Sequence, residues 1–164
     1  TASKLTMWKS TIKTFPERIR KVLLTAEPQA LNWSYRPKGW KVKQVVHHCV
    51  DSHLNSLIRF KLTLTEALPV IRPYDEAAWA LLPDAQENDL TLSLNLLDAL
   101  HASWHRVLDN LSEDELQLEY IHPAMGEKFS LYQAIALYAW HCDHHFAHIK
   151  IGLQSNGKYN HENA

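Results

Sequence analysis

The chain has 164 residues, of which 46% are hydrophobic and 21% are charged, as expected for one globular domain with its own core. The four glycines argue against a fold rich in strands or loops, and the net charge of −1 leaves no basic excess to follow a nucleic-acid backbone. Since no run of about 18 apolar residues occurs and no signal peptide is visible, we expect no membrane span.

The first predicted helix begins near Pro16, at a first-turn position that proline tolerates, and runs to about Ala26. Residues 27–40 follow as a loop because they contain two prolines and a glycine. Three aromatic side chains in this loop predict that it packs over another part of the molecule: Trp33, Tyr35 and Trp40.

The second predicted helix spans Val42–Glu66 and carries two apolar rows that we expect to face inward. One row contains Val46, Val50, Leu54 and Ile58, and the other contains Cys49, His53, Leu57 and Phe60. Residues 69–90 are expected to be irregular, since three prolines interrupt them.

The second half of the chain predicts two more long helices. The third spans Thr91–Asn110, and Ser112 with Glu115 then matches a capping box for a short helical turn. Residues 118–129 suit a small hairpin, after which Ser130 and Gln133 form a second capping box that opens a last helix to about Leu153. Leu131, Ala134, Ile135, Leu137, Tyr138 and Ile149 would fill its apolar side. Four long helices without a series of strands predict an all-α four-helix bundle with long connections.

The most informative segment lies in the last helix, where residues 141–148 contain four histidines. Residues four apart share a helix face, so His141 pairs with His145 and His144 pairs with His148. The first pair follows the inward apolar row, which favours it as a pair of metal ligands. A third imidazole is available on the second helix, from His47 or His48.

Three imidazoles suit a catalytic divalent metal, because they leave a position for water whose pKa the ion lowers. The alternative is a set of solvated or hydrogen-bonded histidines without metal. Asp51 and Asp143 lie close enough in sequence to orient a ligand imidazole. The two cysteines, Cys49 and Cys142, are interpreted as small buried residues rather than ligands.

The sequence resembles the DinB/YfiT-like superfamily, and within it the YfiT subgroup. Four stretches carry the resemblance in chain order: residues 33–40 (WSYRPKGW), 45–53 (VVHHCVDSH), 72–76 (RPYDE) and 138–148 (YAWHCDHHFAH). The resemblance implies a single bundle domain over residues 1–164 that binds one divalent metal, zinc or alternatively nickel, through His48, His141 and His145. It also implies a cytoplasmic homodimer that acts on a small molecule.

Two reactions are compatible with this family. A metal-dependent hydrolase would use metal-activated water, with Asp51, Asp75 or Glu76 as the candidate base. A thiol S-transferase would bind a low-molecular-weight thiol of the bacillithiol type, whose negative charge Arg36, Lys38 or Arg72 could meet. A metal-binding bundle without turnover is the third possibility.

Overall fold

Four long helices and one small hairpin make up the fold, which a computed structural model describes for residues 2–160. Thr1 and residues 161–164, which the domain predicted over 1–164 includes, lie outside the described residues. The helices are α1 (Ala2–Leu23), α2 (Val42–Thr65), α3 (Glu76–Trp79), α4 (Pro83–Gln86), α5 (Thr91–Asp109) and α6 (Leu131–Gln154). The strands β1 (Glu119–His122) and β2 (Glu127–Ser130) pair antiparallel, and short 3-10 turns occupy Pro28–Asn32 and Glu115–Gln117.

The four long helices form a bundle in which two pairs that are consecutive in sequence, α1 with α2 and α5 with α6, are not main neighbours in space. Helices α1 and α2 each pack extensively against both α5 and α6. Helices α1 and α2 therefore lie on one diagonal of the bundle, and α5 and α6 lie on the other. A diagonal connection must cross the end of the bundle, which explains why the segments that join α1 to α2 and α5 to α6 are long. Within residues 2–160, no helix combines the length and the apolarity needed to cross a bilayer.

The fold class and three of the four long helices are confirmed. Helices α2, α5 and α6 begin and end within one residue of the predicted bounds. The capping box before α6 is formed as predicted: the Gln133 amide N–H donates to Ser130 Oγ, and the Ser130 amide N–H donates to Gln133 Oε1. The predicted hairpin is also present, although the segment of residues 69–90 contains two single-turn helices that the sequence did not indicate.

The first helix was predicted incorrectly, because α1 begins at Ala2 and contains Pro16 in its interior. Proline has no amide hydrogen, so it cannot make the helical hydrogen bond to the carbonyl of residue 12. The structure gives that carbonyl another donor: Nδ1 of His101 on α5 lies 2.7 Å from the Ile12 oxygen. A tertiary contact therefore offsets the cost of the proline, and sequence alone does not reveal it.

The core is built from the predicted apolar faces, with three exceptions. Trp104, Phe15 and Phe60 are the largest fully buried side chains, and both cysteines are buried beside them. Leu54 and Ile58, predicted to face inward, are exposed, and so is Leu137. Each advance of four residues turns 40° past a full turn of the helix, so the row that starts at the buried Val46 has rotated to the surface by Leu54.

A close approach between α6 and the start of α2 depends on Gly152. A Cβ atom at this position would lie 2.6 Å from Cγ2 of Val42 and 3.5 Å from the carbonyl oxygen of Trp33. Val42 is almost fully buried and its branched side chain has little rotamer freedom, so the contact cannot be relieved cheaply.

We expect Gly152→Ala to lower the free energy of unfolding by about 1–3 kcal/mol, because the added methyl group overpacks this contact. Chemical denaturation measures the change. Adding Val42→Ala should restore part of the loss, since it removes the atom that clashes. A Gly152→Ala variant that gains about 1 kcal/mol, the helix propensity of alanine over glycine, would show that the contact is loose.

Candidate metal centre

Three imidazoles from α2 and α6 meet between these helices. One ring nitrogen from each of His48, His141 and His145 lies within 4.8 Å of one from each of the others. The centroid of the His48 ring is 5.4 Å from that of His141 and 4.7 Å from that of His145, and the latter two are 4.3 Å apart. The spacing of four residues brings the α6 pair together, and the packing of α2 on α6 adds the third ring.

Burial keeps these imidazoles neutral. It lowers the pKa of His48 to about 4 and, with the help of the neighbouring His48 and His144, lowers that of His141 to about 3. Burial also places the pKa of His145 far below its ordinary value, and the surrounding histidines lower it further. A neutral imidazole has one nitrogen with a free lone pair, which is the form that binds metal.

The donor set fits a divalent ion. Nδ1 of His145 is buried and has no hydrogen-bond partner among residues 2–160, which is costly for a polar atom unless something else binds it. Three neutral imidazoles also match the ligand number of a catalytic zinc site, in which a further position stays open. The chemistry of the side chains present therefore fits a divalent ion.

The structure places the alternative histidines differently. Nδ1 of His47 lies 2.6 Å from Oγ of Ser93 on α5, so this ring faces away from α6. His144 and His148 bring nitrogens within 4.8 Å of His145, as the second predicted pair allows. All three of these residues lie on α6, whereas the group with His48 draws on two helices and adjoins a cavity.

Aromatic side chains from the loop before α2 lie on the histidines, which confirms the prediction that this loop packs over another part of the molecule. Trp40 lies against His48 with ring centroids 4.9 Å apart, and Tyr35 stacks on His148 at 3.9 Å. These rings reduce the access of water to the cluster from that side.

A cavity of about 160 Å³ adjoins the cluster at His141. Helix α2 contributes Ser52 and Arg59, α3 contributes Glu76, and α6 contributes Leu137 and Tyr138. The hairpin contributes the remaining wall, with Tyr120, His122, Met125 and Phe129. The exposed Leu137 is therefore part of a wall beside the histidines rather than of the core.

The cavity contains one carboxyl group of the three that the sequence singled out. Glu76 lines it, and partial burial raises the pKa of this carboxyl while the charge of Arg59 opposes the rise. Asp75 accepts a hydrogen bond from the Ala78 amide at 2.9 Å and so caps α3. Asp51 is half-buried, and burial together with the nearby Asp84 raises its pKa to about 6, but it does not line this cavity.

The cation that lines the cavity is Arg59, a residue that the sequence did not single out. It follows His48 by eleven residues, close to three helical turns, so helix periodicity could have placed it on the same face. Of the predicted cations, Arg36 contacts the ring of Tyr35, Lys38 is exposed, and Arg72 offers its carbonyl oxygen to Arg59 at 3.4 Å.

Three further residues that the sequence brings into question, one aspartate and two cysteines, take no part in the cluster. Asp143 pairs with Arg18 at 2.7 Å on the surface and does not orient an imidazole. The thiols of Cys49 and Cys142 are fully buried, and burial raises the pKa of each above its ordinary value. Among residues 2–160 neither thiol belongs to a group that could hold a metal.

Comparison with known proteins gives a consistent set of relatives. The family model of the DinB superfamily matches residues 11–149. A Bacillus licheniformis protein named "Putative metal-dependent hydrolase" is 47% identical over 154 residues, which span 94% of this chain and 88% of that protein. The Bacillus subtilis protein named "Putative metal-dependent hydrolase YfiT" is 43% identical over 142 residues, 87% of this chain and 80% of its own length.

A solved structure extends the comparison to the fold. Bacillus subtilis YfiT is described as "a probable metal-dependent hydrolase with an unusual four-helix bundle topology". It is 39% identical to this chain and superposes with a TM-score of 0.91, covering 96% of this chain and 90% of its own.

We expect one divalent ion per chain, and we expect the His48→Ala, His141→Ala and His145→Ala variants to lose it, because each removes a ligand. Elemental analysis after zinc loading and desalting measures the content. His105→Ala is the control, since this ring pairs with Asp109 on α5. Full metal content in both α6 variants would refute the assignment. Loss of metal in His47→Ala with retention in His48→Ala would show that His47, and not His48, is the ligand from α2.

Metal affinity should resist mild acid. In the folded protein the pKa values of His48 and His141 lie near 4 and 3, so protons compete with the ion only well below the ordinary value of 6.5. We expect similar affinity at about pH 8 and about pH 6 and a steep fall towards pH 4. A competing chromophoric chelator measures it, with circular dichroism to verify folding. A midpoint near 6.5 would instead indicate solvated histidines.

Proposed function

Because this chain belongs to the DinB superfamily and is similar to YfiT over most of its length, we propose that it is a metal-dependent hydrolase of small molecules. The observation that carries the proposal is the position of three neutral imidazoles beside a cavity that contains one carboxyl and one guanidinium group. His48, His141 and His145 would hold the ion, with zinc as the proposed metal and nickel as the alternative.

A divalent ion at this position supplies Lewis acidity and activates water for attack on a carbonyl or a similar electrophilic centre. The protein must then accept a proton from the attacking water and return it to the leaving group. Glu76 is the group in the cavity suited to this task, because its carboxyl lines the cavity and loss of solvation raises its pKa above the ordinary value.

Arg59 is suited to orienting the substrate. Its Nε is buried and makes no hydrogen bond within residues 2–160, while its terminal nitrogens reach only long contacts, 3.5 Å to Oη of Tyr138 and 3.4 Å to the carbonyl of Arg72. A guanidinium with unused donors binds a carboxylate or phosphate strongly. We therefore propose substrates that carry an anionic group near the bond to be hydrolysed.

A thiol S-transferase is the second candidate, and Arg59 is the observation that favours it. A low-molecular-weight thiol with a negative charge could place that charge on Arg59 and its sulfur near the histidines. The sulfur would lose its proton, form a bond to an electrophilic carbon and displace a leaving group. Both reactions use the same cavity, so the need for a thiol separates them. We further propose that the protein works as a homodimer in the cytoplasm.

We expect the zinc-loaded protein to hydrolyse members of a panel of small anionic esters and amides without any thiol. Glu76→Gln should lower kcat by about 10²- to 10⁴-fold with unchanged metal content, because it removes the proton acceptor without changing its shape. Steady-state kinetics and elemental analysis give the two readouts.

Asp75→Asn is the matched control for Glu76→Gln. It removes the same charge from the adjacent residue, and asparagine caps a helix as well as aspartate does, so α3 should stay formed and kcat should change little. Activity that appears only when a thiol and an electrophile are both supplied would favour the transferase. An equal loss in both variants would show that α3 acts through its structure and that Glu76 is not the base.

A further inference from the structure

We infer that His53 and His101 are positioning residues that hold His141 in the tautomer and orientation required of a metal ligand, an inference that rests on the proposed metal site. A chain of hydrogen bonds links these rings across the bundle. It starts at the carbonyl of Ile12 on α1 and passes through His101 on α5 and His53 on α2 to His141 on α6.

The Ile12 carbonyl on α1 decides which nitrogen donates and which accepts in each of these hydrogen bonds. Pro16 removes the amide hydrogen that would otherwise bond to the Ile12 carbonyl, and the Ile12 residue is fully buried. Nδ1 of His101 lies 2.7 Å from that oxygen. A carbonyl oxygen only accepts hydrogen bonds, so Nδ1 of His101 must carry the proton.

Each following ring is then constrained in turn, because a neutral imidazole has one donor nitrogen and one acceptor nitrogen. Nε2 of His101 must accept, and Nδ1 of His53, 2.7 Å away, must donate to it. Nε2 of His53 must accept in turn, and Nδ1 of His141, 3.0 Å away, must donate. His141 therefore keeps its lone pair on Nε2, whose only hydrogen-bond contact within residues 2–160 is a long one of 3.4 Å to Oγ of Ser52, and that nitrogen is the one available to an ion.

Burial excludes the arrangement that would break this order. A doubly protonated His101 or His53 would donate from both nitrogens, so the hydrogen bonds beyond it would reverse and His141 would carry its proton on Nε2. His53 is fully buried and His101 nearly so, and such an environment disfavours a charged imidazole. The order of the protons therefore follows from the carbonyl, the three distances and the lack of solvent.

The chain gives His141 support that the structure does not show for the other two histidines. Within residues 2–160, the structure shows no hydrogen bond at either ring nitrogen of His145, so no neighbouring side chain fixes that ring as His53 fixes His141. A hydrogen bond to the outer nitrogen of a ligand imidazole fixes the ring and raises its basicity, and successive hydrogen bonds polarise one another. Loss of the chain should therefore weaken the site through His141.

The test measures the tautomer first and the metal second. In ¹⁵N-labelled, metal-free protein at neutral pH, long-range ¹H–¹⁵N correlation spectra should show His53, His101 and His141 as Nδ1–H tautomers. His53→Leu should give His141 a mixture of tautomers and weaken zinc affinity by about 10- to 100-fold in a chelator competition. His53→Gln offers both an amide donor and a carbonyl acceptor, so it should restore most of the affinity.

Leu108→Ala controls for a general loss of stability. Leu108 is fully buried on α5 and takes no part in the hydrogen bonds, so the variant should unfold more easily while His141 keeps its tautomer and zinc its affinity. An Nε2–H tautomer for His141 in the wild-type protein would overturn the inference, and so would wild-type affinity in His53→Leu. Should the wild type bind no zinc, the proposed function fails, and the tautomer measurement alone decides this inference.

Discussion

A series of hydrogen bonds between buried polar groups connects all four long helices of this protein. Much of the helix arrangement follows from the need to give each of these groups a hydrogen-bond partner. The series joins the Ile12 carbonyl to His101, His53 and His141 inside a core where a polar atom without a partner is costly. Each helix supplies one member. The helices must therefore be arranged so that α1 meets α5, α5 meets α2, and α2 meets α6. These are three of the four main contacts of the bundle.

The diagonal order of helices also explains where the site lies. Because α1 and α2 do not pair directly, the loop between them has to cross the bundle, and it brings Tyr35 and Trp40 onto the histidines. The long segment between α2 and α5, which are adjacent in the bundle, carries α3, and with it Glu76, to the cavity beside His141. Long connections are expensive in chain entropy, and in this protein they supply walls and a charged group to the site.

The sequence predicts most of the fold because its local signals agree with the tertiary structure. Capping residues and apolar periodicity locate α2, α5 and α6, and the i, i+4 histidines of α6 do lie together. Other features depend on contacts between distant residues. The proline in α1 is tolerated through His101, a residue 85 positions away, and Glu76 reaches the cavity only because a capped single turn orients it. Helical spacing places Arg59 on the same face of α2 as His48, but the sequence does not show that this face borders a cavity.

Helices α2 and α6 contact each other in two regions, an apolar one that stabilises the fold and a polar one that forms the candidate metal centre. Near the start of α2, Val42 packs on Gly152 so closely that no side chain fits, and the contact is apolar. Further along the same pair of helices, histidines occupy positions that leucine or valine would fill at lower cost. The tight apolar contact between Val42 and Gly152 holds α2 and α6 in fixed positions relative to each other. The core can then tolerate unsatisfied nitrogens and a partly buried guanidinium in the polar region, where binding a substrate and an ion would supply the missing partners.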